Sequence, residues 1–160
     1  LVIVGREGWK GVPPEARRDI PATIQQLSMH PQRGQRLFWI DGASDEYLQS
    51  IYSASTCLLA ASYGEGFGLP LIEAALHGLP ILARDLPVFR EVAGSHASYF
   101  QASAAPELAA AIQTWLSACE RGEHAQSTGL PWLTWSESAA QLAAVCLGQP
   151  GNAGSPEAGS

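Results

Sequence analysis

The apolar run Cys57-Leu58-Leu59-Ala60-Ala61 empties into Ser62-Tyr63-Gly64-Glu65-Gly66-Phe67-Gly68-Leu69-Pro70, and an apolar helix-forming run, Leu71 to Leu76, follows. The first run is short enough to be a buried strand. A strand that opens into a glycine-rich turn and then a helix is the architecture of a phosphate site. The glycines bare backbone N–H groups, and the helix start adds the positive end of its dipole. Pro70 suits the first helical position, where its missing N–H costs nothing. Glu65 precedes the end of the turn, and Glu73 lies about one turn into the helix, close to its mouth. A carboxylate there accepts hydrogen bonds from a vicinal diol such as a ribose. Glu65 would sit near whatever is attached beyond the phosphates. A nucleotide diphosphate carrying a sugar has that layout. The same turn also serves a plainer purpose, since an acidic residue early in a helix complements the dipole.

The flanking chain supplies strands and helices in alternation. Leu1 to Val4 reads as a buried strand ending at Gly5. The loop from Gly5 to Pro14 carries Gly8, Gly11 and Lys10, the only lysine; Lys10 near a phosphate is one use, a solvated loop lysine the other. Ile20, Ile24 and Leu27 recur at helical spacing after Arg17 and Arg18, the expected solvated face. Arg36 to Ile40 is the second strand, followed by Asp41-Gly42-Ala43. Ser44 caps a helix whose Leu48, Ile51 and Tyr52 fall on one face.

After the central motif, His77-Gly78 ends the helix, with glycine in the left-handed position and histidine suited to the negative end, a reading preferred over a catalytic His77. Pro80 to Ala83 is the fourth strand. Arg84 stands at its carboxyl end, the side where ligands bind in open α/β sheets. Asp85 is the expected N-cap of a short helix, within which Arg90 and Glu91 can pair with each other or with solvent. Ser98 to Phe100 is a last strand. Ser103 to Glu107 opens a helix striped by Leu108, Ile112, Trp115 and Leu116, aromatics that read as core. His96 and His124 lie in loops with no partner near them in sequence. Ser136 is the expected cap of a final helix to Leu147. Residues 148–160, rich in Gly, Pro, Ser and Ala, read as a flexible tail. This alternation gives an α/β domain over residues 1–147 with a mainly parallel sheet and helices on both faces.

Composition narrows the function classes. At 160 residues the length suits one domain, and 46% hydrophobic content is enough for a core. The formal net charge of −6 does not favour nucleic acid or an anionic membrane. Any phosphate site must therefore work through local N–H groups and a few arginines. Cys57, Cys119 and Cys146 are odd in number, widely spaced and in apolar contexts, which fits reduced cytosolic thiols better than a disulfide framework or a metal site. No apolar run approaches the ~20 residues of a membrane helix. Residue 1 lies inside a strand pattern with no initiator methionine, so a fragment of a longer protein is expected.

Glu65 to Ala74, with its two glutamates eight positions apart, resembles the glutamate-pair signature of glycosyltransferase family 4, the large retaining family of GT-B fold. Other blocks resemble the family in order along residues 1 to about 147. These are Leu1 to Gly5 with Gly8-Trp9, Ser44 to Tyr52, His77 to Ala83, Glu91 to Gly94, and Thr134-Trp135-Ser136. The run Ala83 to Val92 resembles bacterial mannosyltransferases of surface polysaccharide assembly. The resemblance implies a Rossmann-like sheet, the C-terminal half of a GT-B fold with its first βα unit missing. It assigns Glu65 as the catalytic residue holding sugar hydroxyls and favouring positive charge at the anomeric carbon. Glu73 holds the ribose. The main chain at Gly66, Phe67, Gly68 and Leu69 holds the diphosphate, and Gly42 and Ala43 present backbone groups to the base. Arg84 joins these donor-site candidates by its place at a strand's carboxyl end, within reach of a phosphate or the sugar, and not by the resemblance. Gly42 falls one residue later than the family's usual glycine, and Asp41 is off its pattern.

The reaction so implied moves a hexose, mannose favoured, from a nucleotide-diphosphate sugar to an acceptor hydroxyl with retention. GDP-mannose is the favoured donor and a UDP-sugar the second. The acceptor, a saccharide or lipid-linked saccharide, would be held by an N-terminal domain outside this chain. No cofactor and no metal is implied, and no Asp-x-Asp pair stands beside the motif. The expected location is the cytoplasm, or the inner-membrane periphery through the missing part. The isolated chain is expected to be inactive. Two other readings stand: a non-catalytic nucleotide-sugar-binding or interaction module, and another GT-B enzyme such as a nucleotide-sugar epimerase.

Overall fold

The computed structural model describes residues 1–6 and 20–148. The expectations placed on Gly8, Trp9, Lys10, Gly11, Arg17, Arg18 and the tail beyond residue 148 lie outside them. The chain divides into two compact units, Leu1–Ser55 and Thr56–Ser160.

The first unit is a βαβα run: β1 (Val2–Val4), α1 (Ile20–Met29), β2 (Phe38–Ile40) and α2 (Asp45–Ala54). β1 and β2 pair in parallel, with Ile3 opposite Trp39. The Trp39 indole donates to the Gly5 carbonyl at 2.9 Å, and the Gly5 N–H to Ile40 O at 3.1 Å, closing the carboxyl ends of both strands. Ser44 caps α2 as expected, its hydroxyl accepting from Tyr47 N at 3.3 Å. Asp45 and Glu46 add acidic groups in the first turn. Tyr52 is buried and Leu48 and Ile51 half-buried, so the apolar stripe is the packed face.

The second unit holds β3 (Leu58–Ala60), α3 (Leu69–Leu76), β4 (Ile81–Arg84), α4 (Pro87–Ala93), a 3-10 turn (Gly94–His96), β5 (Ser98–Phe100), α5 (Ala105–Glu120) and α6 (Trp135–Cys146). Its strands run parallel in the order β3-β4-β5. The expected sheet is therefore found as two parallel sheets among the described residues, of two and three strands. β4 is central and reads as a continuous apolar run because both its faces are covered. Ile81 and Ala83 are fully buried and Leu82 nearly so. Leu82 faces a cluster with Phe100, Ala102 and Trp115, completed by Cys57, Leu59, Leu108, Ile112 and Cys119. Ile81 and Ala83 point the opposite way. α3 packs on β3, β4 and α4, burying Leu71, Ala74, Phe89 and Ala93.

Several local expectations are corrected. Pro70 is the second residue of α3, because Leu69 already has helical geometry. The cap of α4 is Leu86, with no side-chain bond. Asp85 instead takes a two-point ion pair from Arg90, at 2.6 and 3.1 Å, and a bond from Gln101 at 3.3 Å. Arg90 therefore pairs with Asp85 rather than Glu91, since a two-point guanidinium–carboxylate geometry outcompetes a neighbour on the same helix. α6 is capped by Thr134, not Ser136: the Thr134 hydroxyl accepts from Glu137 N, and Glu137 reaches back to Thr134 N at 2.7 Å. Threonine followed three residues later by glutamate is a reciprocal cap, which a serine inside the helix cannot supply. His96 and His124 do find partners, Gln126 O at 3.3 Å and the Trp115 ring edge-on at 5.9 Å.

Candidate functional site

The turn between β3 and α3 is built by one glycine. Gly68 sits at φ +92° as the N-cap of α3, a left-handed conformation that costs a side-chain-bearing residue about 1–2 kcal/mol. A Cβ there would also press on the Phe89 ring at 3.1 Å. Gly68 thus lets the chain double back against α4 and deliver Leu69 straight into the helix. Among the described residues, the N–H groups of Gly66, Phe67, Gly68 and Leu69 donate to no partner. Residues 63–67 are exposed. A run of unspent N–H groups at the mouth of a helix is where an anion binds.

Glu65 lies on this exposed loop, and the Ser62 hydroxyl donates to its Oε1 at 3.2 Å. Glu73 is half-buried, four residues after the start of α3. Side chains on a helix lean toward its N-terminus, which in α3 is the end that meets this turn.

Arg84 closes β4. Its Nε donates to Ala61 O at 3.2 Å, just past β3, and its Nη1 donates to Ala102 O, just past β5. One guanidinium thereby ties together the carboxyl ends of three adjacent strands. The Tyr63 ring lies over it at 4.1 Å and the Phe100 ring at 5.3 Å. A cation on an aromatic face adds about 0.5–1 kcal/mol at an exposed site. The two carbonyls engage two of the five N–H donors.

Gly42 and Ala43 belong to the first unit. They follow β2, with Gly42 exposed and Ala43 half-buried. The Arg6 guanidinium packs on Gly42 so closely that a Cβ would meet its Nε at 2.9 Å. Arg6, two residues after the end of β1, is a candidate missed in the sequence. Its place at a strand's carboxyl end is the signal that would have found it. Tyr63 was missed too, and nothing local in the sequence joins it to an arginine on the next strand. Among the described residues no three His, Cys, Asp or Glu side chains form a group able to hold a metal ion, and no helix is long and apolar enough to cross a membrane.

The family model described as glycosyl transferases group 1 matches residues 1–129. The serotype-specific mannosyltransferase WbdA of Escherichia coli is 44% identical over 139 residues, 87% of this chain and 16% of the relative. The O-antigen chain mannosyltransferase RfbU of Salmonella typhimurium is 32% identical over 83 residues, 52% of this chain and 24% of that protein. The chain therefore spans about a sixth to a quarter of the length of these curated relatives. Among solved structures, sucrose-phosphate synthase from Thermosynechococcus elongatus aligns with a TM-score of 0.56 at 27% identity, covering 78% of this chain and 31% of that one. Anabaena HepE in complex with UDP and glucose aligns at 0.56 with 20% identity over 77% of this chain and 32% of its own, a likeness of fold. The glutamate-pair turn, the parallel α/β architecture and the match over residues 1–129 agree: the chain belongs to the glycosyl transferases group 1 family.

Proposed function

We propose that this chain is the donor-binding domain of a retaining glycosyltransferase that transfers mannose from GDP-mannose to a saccharide or lipid-linked saccharide in cell-surface polysaccharide synthesis. The observation that carries the reading is the row of unspent N–H groups from Gly66 to Leu69 at the N-terminus of α3, set between Glu65 and Glu73. Those groups and the helix dipole stabilise the charge that develops on the departing diphosphate. Glu73 accepts from the ribose hydroxyls. Glu65 holds the sugar hydroxyls and steadies positive charge at the anomeric carbon. The remaining N–H groups of Arg84 contact the donor. The acceptor proton passes to the leaving phosphate, so neither glutamate acts as a base, and the residues assigned call for no metal.

The relatives' names, both mannosyltransferases, support mannose. The acceptor belongs to the rest of the parent protein, and the isolated chain binds donor weakly and transfers nothing. Steady-state kinetics of the parent with GDP-mannose, GDP-glucose and UDP-glucose test the reading. Turnover with GDP-mannose is expected, with Glu65→Gln lowering kcat by about 10²-fold or more. Glu73→Ala is expected to raise the donor KM at least about tenfold, the worth of a charged hydrogen bond. Preference for UDP-glucose would replace the donor assignment. Wild-type turnover in both variants would remove the site assignment.

A further inference from the structure

Tyr63 is 76% exposed, yet its ring is laid on a guanidinium that is itself fixed at two points. Arg84 is anchored by the carbonyls of Ala61 and Ala102, so its plane is set by the exits of β3 and β5 rather than by solvent. Ala61 immediately precedes the loop that begins at Ser62, and Tyr63 stands two residues before Glu65. Among the described residues, the Glu65 carboxylate is held by the 3.2 Å bond from the Ser62 hydroxyl. Gly64 and Gly66 flank Glu65, and a Cβ on either would meet nothing within 4 Å, so side-chain packing does not fix the backbone there. Between the end of β3 and the left-handed Gly68, the Tyr63–Arg84 stack thus fastens the loop to the sheet.

We infer that Tyr63 is a positioning residue: stacked on the strand-anchored Arg84, it holds the Glu65 loop in the geometry in which Glu65 meets the donor sugar. The role rests on the reading of Glu65 given above. It needs the ring and not the hydroxyl, since the contact is face to cation. A misplacement of about 1 Å in such a carboxylate costs up to about 10²-fold in rate. The nucleotide end of the donor is held by Glu73 on α3, which the loop does not carry.

The experiment is steady-state kinetics of the parent protein with GDP-mannose, comparing Tyr63→Ala, Tyr63→Phe and Glu65→Gln. Tyr63→Ala is expected to lower kcat by about tenfold or more, with the donor KM changed by less than about threefold and the melting temperature unmoved, as befits an exposed side chain. Tyr63→Phe is expected to restore wild-type kcat. A merely structural tyrosine would move the melting temperature without that kcat-selective loss. If Glu65→Gln abolishes turnover while Tyr63→Ala keeps it, the positioning role is overturned and the reading of Glu65 stands. If Phe fails as badly as Ala, the hydroxyl and not the stack is at work, and the proposal is overturned. Wild-type turnover in Glu65→Gln overturns the reading of Glu65 and the positioning role with it.

Discussion

Gly68 caps α3 in a left-handed conformation with the Phe89 ring against it. Its positive φ and the 3.1 Å approach of the Phe89 ring are separate reasons why no side chain fits. Gly68→Ala is expected to destabilise the fold by about 2–4 kcal/mol, left-handed strain and overpacking together, as read from the urea midpoint. It should also weaken donor binding by turning the N–H row. Cys57 tests the core beside the site. Burial pushes its thiol up from 9.0 to about 11, so its thiolate fraction near neutral pH falls by about a hundredfold. The exposed Cys146 is expected to react with iodoacetamide at pH 8 long before Cys57, as mass spectrometry of a time course would show. Because the folded value is raised, stability owed to the neutral thiol is present below pH 9.0 and is lost as pH climbs through about 11.

The helices show what sequence patterns reveal and where they stop. The stripe Leu48, Ile51, Tyr52 with its Ser44 cap was legible because cap and period agree within one turn. The motif strand, α3 and the His77-Gly78 stop were legible for the same reason. The cap of α6 was misread because Ser136 and Thr134 are both hydroxyls; only the backbone decides which stands outside the helix. The Asp85–Arg90 pair was hidden because a cap and an ion-pair partner call for the same residue type. Hydrogen bonds from Thr134 hold the Glu137 carboxyl below its ordinary value of 4.5. A lowered value means that the cap is intact above 4.5 and is lost as pH falls below it. Thr134→Ala should cost about 1 kcal/mol, seen as lost helix signal in circular dichroism, and the wild type should lose part of that signal on acidification below pH 4.5, where the Glu137 half of the cap is protonated.

For the chain as a whole, order along the sequence was enough for the α/β class, since alternation of strand and helix leaves few parallel topologies. The glutamate-pair turn was enough for the family. The sequence did not show that the strands would gather into two sheets among the described residues, because pairing partners are set in three dimensions and not by apolar runs. Nor did it show the Arg84 ties to Ala61 and Ala102, which bring together residues 23 and 18 positions apart. The proposed function rests on the turn from Gly64 to Glu73 holding a nucleotide-diphosphate sugar. Its most direct test is calorimetric titration of GDP-mannose into the parent protein and its Glu73→Ala variant. The expected result is saturable binding to the wild type, weakened at least about tenfold in the variant. Equal affinity in the two proteins would contradict the claim.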